Sequence, residues 1–152
     1  MTFTKNERNH MNSTALVIGR IFVALLFVNG GIAHFTKLGA MAGYAQYKKV
    51  PAAKLSVILS GLMILVGGLS VLLGVYVDLG SLLLAAFLII SAIIFHDFWK
   101  ETDATAKQNA STAFFKNISL AGFSLILFGL VAKHGDITIG WHIGHHVALF
   151  TK

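Results

Sequence analysis

The chain has no cysteine, a single proline and only 6 acidic residues among 152. Without thiols it cannot run a thiol relay, build a thiolate metal site or attach haem through thioether bonds, so any electron transfer needs a bound cofactor, and covalent haem is excluded. Pro51 lies outside every apolar run, so no span carries the proline break common in transporter helices. Charge is scarce too: 12% of residues are charged against 56% hydrophobic. The sequence holds no carboxylate pair, no nucleophile beside a base, no phosphate-cradling glycine loop and no nucleic-acid motif. Catalysis by the chain alone and nucleic-acid binding are therefore not expected.

What it has in quantity is apolar sequence. Runs at 15–33, 55–74, 79–95 and 118–132 alternate with polar segments, and mean hydropathy is +0.77. A helix rising about 1.5 Å per residue needs roughly 20 residues to cross a hydrocarbon core of about 30 Å. Inside lipid every backbone amide must bond internally, which helices achieve and open strands do not. The expectation is one all-α domain over 1–152, a four-transmembrane-helix antiparallel bundle solvated by the lipid bilayer. Its spans fall at about 14–34, 55–74, 79–96 and 115–133, followed by an interfacial tail over 134–152.

The net charge of +6 is spread over loops and reads as a topology signal. Lys37, Lys48, Lys49 and Lys54 lie in loop one, and Lys100, Lys107 and Lys116 in loop three; the tails carry Lys5, Arg8, Lys133 and Lys152. The positive-inside rule then puts loops one and three in the cytoplasm. Lys5 and Arg8 before an apolar run, with Gly31-Ile32-Ala33 after it, resemble a signal peptide; the length of the run and Arg20 within it argue for a retained span.

Asn12, Ser13 and Thr14 suit a helix N-cap, so the first helix is expected to start there. Arg20, Ala24, Phe27, Gly31 and His34 follow a 4-3-4-3 spacing and share one face, which must point inward because a guanidinium facing lipid is costly. Asn29 lies on a neighbouring face. Gly61, Gly68 and Gly74 form a near-continuous stripe that permits close helix approach. Loop two, 75–78, is short enough to force a hairpin. Loop one, 35–54, reads as an amphipathic helix on the membrane surface, and loop three, 100–115, as a solvated connector.

With spans one and three ending on the side where span four begins, His34, His96, Asp97 and Asn117 should gather at one membrane face, above a polar pocket. Arg20 is a candidate contact for an anion or a quinone carbonyl, weighed against backbone bonding or snorkelling. His34 and His96 are candidates for a quinone oxygen or a metal. In the tail, His142, His145 and His146 have the spacing of a helical metal site, although Gly140 and Gly144 disfavour a helix there.

Arg20, Phe27-Val28-Asn29-Gly30-Gly31, His34-Phe35, Tyr44, Val50-Pro51, the Gly61…Gly67-Gly68 helix, His96-Asp97-Phe98-Trp99 and Phe115-Lys116-Asn117 together resemble the DoxX family of small four-helix membrane proteins, over about 16–128. The resemblance implies a bacterial inner-membrane, multi-pass protein. Some relatives are membrane subunits associated with thiosulfate:quinone oxidoreduction, and others belong to a membrane complex linked to oxidative-stress defence. The family pattern singles out Arg20, Gly30-Gly31, His96 and Asn117. Relatives often carry a glutamate between the glycines of the second span, where this chain has Ile64. That departure removes an intramembrane carboxylate and a counter-ion for Arg20.

The expected function is a membrane subunit or quinone-binding module of a redox or oxidative-stress system, an accessory to an oxidoreductase, with Arg20, Asn29, His34, His96, Asp97 and Asn117 as ligand-binding candidates. A redox protein is the expected partner, and the glycine stripes would also serve an oligomer. The alternative is a non-enzymatic scaffold or a lipid- or small-molecule-handling protein.

Overall fold

The computed structural model describes residues 5–134, with side-chain surroundings over 14–132. Five α-helices and a short 3-10 turn follow in order: α1 (Lys5–Thr36), α2 (Leu38–Tyr47), α3 (Ala53–Leu73), α4 (Val77–Phe95), the turn Phe98–Lys100, and α5 (Ala104–His134). No strand occurs among the described residues. Stretches of α1, α3, α4 with the turn that follows it, and α5 are long and apolar enough to cross a membrane: Thr14–Thr36, Ala53–Leu73, Val77–Lys100 and Ala104–Ala132. The fold is all-α with four membrane-spanning helices, as the hydropathy pattern predicts.

Small residues set the helix spacing. On α1, Arg20, Ala24 and Phe27 are buried, and the stripe meets the glycines of α3 in antiparallel register. A Cβ on Gly74 would collide with the Arg20 guanidinium, one on Gly68 with Phe27 Cβ at 2.9 Å, and one on Gly61 with His34 Cβ at 2.6 Å. Gly31 returns the favour from α1, lying against the Leu65 backbone. The opposite face of α3 packs on α4, where a Cβ on Gly67 would sit 2.8 Å from the Leu84 side chain. With no hydrophobic effect between helices in lipid, such close approach is what gives them packing energy.

Packing then proceeds along the row α1, α3, α4, α5, with α2 laid on α3. Of the most apolar window in each span, 44% is buried in α4 but 22% in α1 and in α5. That gradient places α3 and α4 inside and α1 and α5 at the flanks. The core joins Phe27, Ile64, Val71, Leu84, Leu88 and Ala121.

Three boundaries differ from the sequence expectation. First, α1 begins at Lys5, running through Asn12, Ser13 and Thr14; a capping triplet does not start a helix when the preceding residues include no glycine or proline to break it. Second, most of loop three is helix: α5 starts at Ala104, where the Ala106 amide donates to Asp103 Oδ2 at 2.7 Å. That segment is alanine-rich and free of glycine and proline, so helix propensity outweighs its polarity. Third, Asp78 and Val77 belong to α4 instead of the hairpin loop. Gly74, at φ +73°, ends α3 in the left-handed conformation, and Tyr76, at φ 50°, turns the chain directly into α4.

Candidate functional site: a cavity beneath α2

Helix α2 lies across the end of the bundle and roofs a cavity of about 500 Å³ walled by α1, α3 and α4. This volume is in the range of small-molecule sites. Val57, Phe87, Ile90, Ile94 and Phe95 supply apolar wall, and Met41 and Ala45 form part of the roof. His34, Tyr44, Ser56, Ser60 and Ser91 bring polar atoms, and exposed Lys37 marks the aqueous rim.

His34 ends the inward stripe of α1. Its Nδ1 lies 2.8 Å from the Gly30 carbonyl oxygen, which can only accept, so Nδ1 carries the hydrogen and Nε2 is left to the cavity side of the chemistry. Phe87 meets the imidazole edge-on, ring centres 6.0 Å apart. Gly61 makes this placement possible, because any larger residue there would occupy the space of the His34 Cβ.

The roof is tied down by charge. Lys48, just past the end of α2, bonds Asp97 Oδ1 at 2.5 Å, and Lys100 bonds Asp97 Oδ2 at 2.9 Å. The bond to Asp97 raises the Lys48 pKa above its ordinary 10.5, ahead of the opposing effect of burial. Tyr44 of α2 reaches the Phe95 carbonyl at 3.4 Å and packs on the Phe95 ring. Both links hold α2 against the end of α4.

The sequence-derived candidates separate in space. His34 lines the cavity. Asn117 is buried one layer behind it, its amide 3.5 Å from the hydroxyl of the lining residue Ser91. Asp97 is engaged with its two lysines, and half-buried His96 beside it is not among the lining residues. Asn29 is exposed on the outer face of α1. Arg20 lies at the other end of the bundle, roughly 21 Å along α1 from His34. There its Nε donates to the Val71 carbonyl at 2.7 Å and its Nη2 to that of Leu72 at 2.6 Å, satisfying acceptors in the last turn of α3. The residues described hold no group of three or more His, Asp or Glu able to bind a metal, and His142, His145 and His146 lie outside the described residues.

Sequence reasoning passed over Lys37, Ser56, Ser60 and Ser91, which share the cavity. Ser56 and Ser60 carried a signal, an i, i+4 pair of hydroxyls on the same helix, the second of them next to Gly61. It also passed over Asp78, whose side chain is fully buried in the first turn of α4. Asp78 belongs with Arg20 at the end of the bundle remote from α2, so a buried carboxylate exists in this chain although the second span has Ile64.

The arrangement defines a class: a four-span membrane protein with an apolar cavity under a surface helix, bearing a few fixed polar atoms. The DoxX family model matches residues 15–97, more than half of the chain, and the protein belongs to that family. The match runs from residue 15 within α1 through α4, including His34 and Asp97, and ends before α5 and Asn117. No curated protein and no solved structure matches the chain.

Proposed function

We propose that this protein binds an apolar small molecule of quinone size beneath α2 and serves as the membrane subunit or ligand-binding module of a redox or oxidative-stress system. The cavity itself carries the reading: about 500 Å³, mostly apolar wall, with His34 Nε2 and serine hydroxyls to orient a head group. The chain has no cysteine to carry a thiol relay, so in this reading electrons pass to or from a partner protein through the ligand. That partner docks on the α2 side, which carries exposed Lys37, Lys49 and Lys54 and, in a bacterial inner membrane, faces the cytoplasm. Purification in mild detergent followed by mass spectrometry of the organic extract tests the proposal. A quinone at near-stoichiometric level supports it; a cavity that yields none and takes up none on addition overturns it.

The same basic surface favours the second reading, a scaffold or lipid-handling protein that takes no quinone. A partner that binds without any quinone present and dissociates at high salt would favour it.

A further inference from the structure

Resting on the reading that the cavity holds a quinone-sized ligand, we infer that it selects the reduced, hydroxyl-bearing form of that ligand over the carbonyl form. The inference comes from where the hydrogens of the lining groups are already spent. His34 Nδ1–H is used on the Gly30 carbonyl at 2.8 Å, so in this tautomer Nε2 is the acceptor of the ring. Ser56 donates its hydroxyl hydrogen to the Pro51 carbonyl at 2.9 Å, and Ser60 donates to the Val57 carbonyl at 3.1 Å. Tyr44 points its hydroxyl hydrogen at the Phe95 carbonyl over a longer 3.4 Å.

Each of these groups therefore presents an acceptor to the cavity. A quinone brings only acceptors and would face them lone pair to lone pair. A hydroquinone brings hydroxyl hydrogens that Nε2 and the serine oxygens can receive. Two donors stand against the trend. Lys37 is exposed at the rim, where water and headgroups compete for its ammonium, and Ser91 keeps a hydroxyl hydrogen while it accepts from Asn117. The balance of the lining favours a donor ligand, because an acceptor that the ligand shuts off from water and leaves without a partner costs about 1–3 kcal/mol.

The experiment compares a decyl-substituted benzoquinone with its hydroquinone, each titrated anaerobically onto the full chain in lipid nanodiscs. The expected result is roughly tenfold tighter binding of the hydroquinone, the worth of about one net hydrogen bond. For a two-electron couple, a tenfold preference raises the potential of the bound ligand by about 30 mV. In His34→Leu the preference should fall below twofold while the quinone still binds, and Ser60→Ala should reduce it in a variant whose packing is least disturbed. Equal affinity for the two forms, or tighter binding of the quinone, overturns the selection and leaves the cavity reading standing. Failure of both forms to bind overturns the cavity reading and the selection together.

Discussion

A Cβ added to Gly61 would lie 2.6 Å from the Cβ of His34, so the glycine of α3 holds the room in which the histidine of α1 stands. The pair also marks where the inward stripe of α1 reaches the cavity. Gly61→Ala must therefore push α1 away or turn the imidazole out. We expect a loss of about 1–3 kcal/mol in stability, as for overpacked cores, together with loss of ligand. Thermal melts in detergent and ligand content after extraction check both parts.

Arg20→Ala should behave differently. Its guanidinium bonds the Val71 and Leu72 carbonyls at the end remote from α2. Removing it strips two acceptors in the last turn of α3 of a charged donor, at a cost of about 1–3 kcal/mol. Stability should fall while ligand binding in the cavity persists; loss of ligand in a variant that melts like the wild type would contradict this separation of roles.

The roof offers a third test. Asp97→Asn removes the charge that holds Lys48 and Lys100, so the end of α2 loses its main tie to α4. Amide exchange over 38–50 should accelerate, with that in α3 and α4 unchanged. Uniform acceleration would mean that the pair stabilises the whole bundle instead.

The same ion pair has a pH signature. Folding raises the Lys48 pKa, so its contribution to stability is fully present below the ordinary lysine value of 10.5 and is lost as pH rises through the higher folded value. The stability difference between wild type and Lys48→Met should be flat from pH 7 to about 10 and shrink above that. A difference that instead disappeared between pH 7 and 10 would rule out the raised pKa.

Gly67→Ala separates packing from binding. The new Cβ would meet Leu84 at 2.8 Å and the Gly80 carbonyl at 3.0 Å, on the face of α3 turned toward α4. Destabilisation of about 1–3 kcal/mol is expected, with the ratio of hydroquinone to quinone affinity unchanged. A changed ratio would show that the α3–α4 crossing shapes the site.

The site was only partly legible in the sequence. His34 could be found because an ordered 4-3-4-3 stripe ends on it and an inward face must exist for Arg20. The serines were hidden by their own chemistry, since a hydroxyl on a membrane helix can bond its own backbone anywhere and signals no particular neighbour. Asp97 stood out as a charge beside an aromatic cluster, yet its partners Lys48 and Lys100 come from the end of a different helix and from the adjoining turn.

What the sequence determined by itself is the number of spans and their inward faces, because apolar length must match the membrane and polar or small residues must point away from lipid. The α3 glycine stripe even specified close approach. Tertiary structure alone decided which helix each face meets, that the helices pack as the row α1, α3, α4, α5, and that α2 roofs a cavity. The separation of Arg20 from His34, by contrast, follows from the sequence itself, since both stand on one helix. Residues on one helical face share a direction but not a depth, and a helix crossing the membrane carries them roughly 21 Å apart.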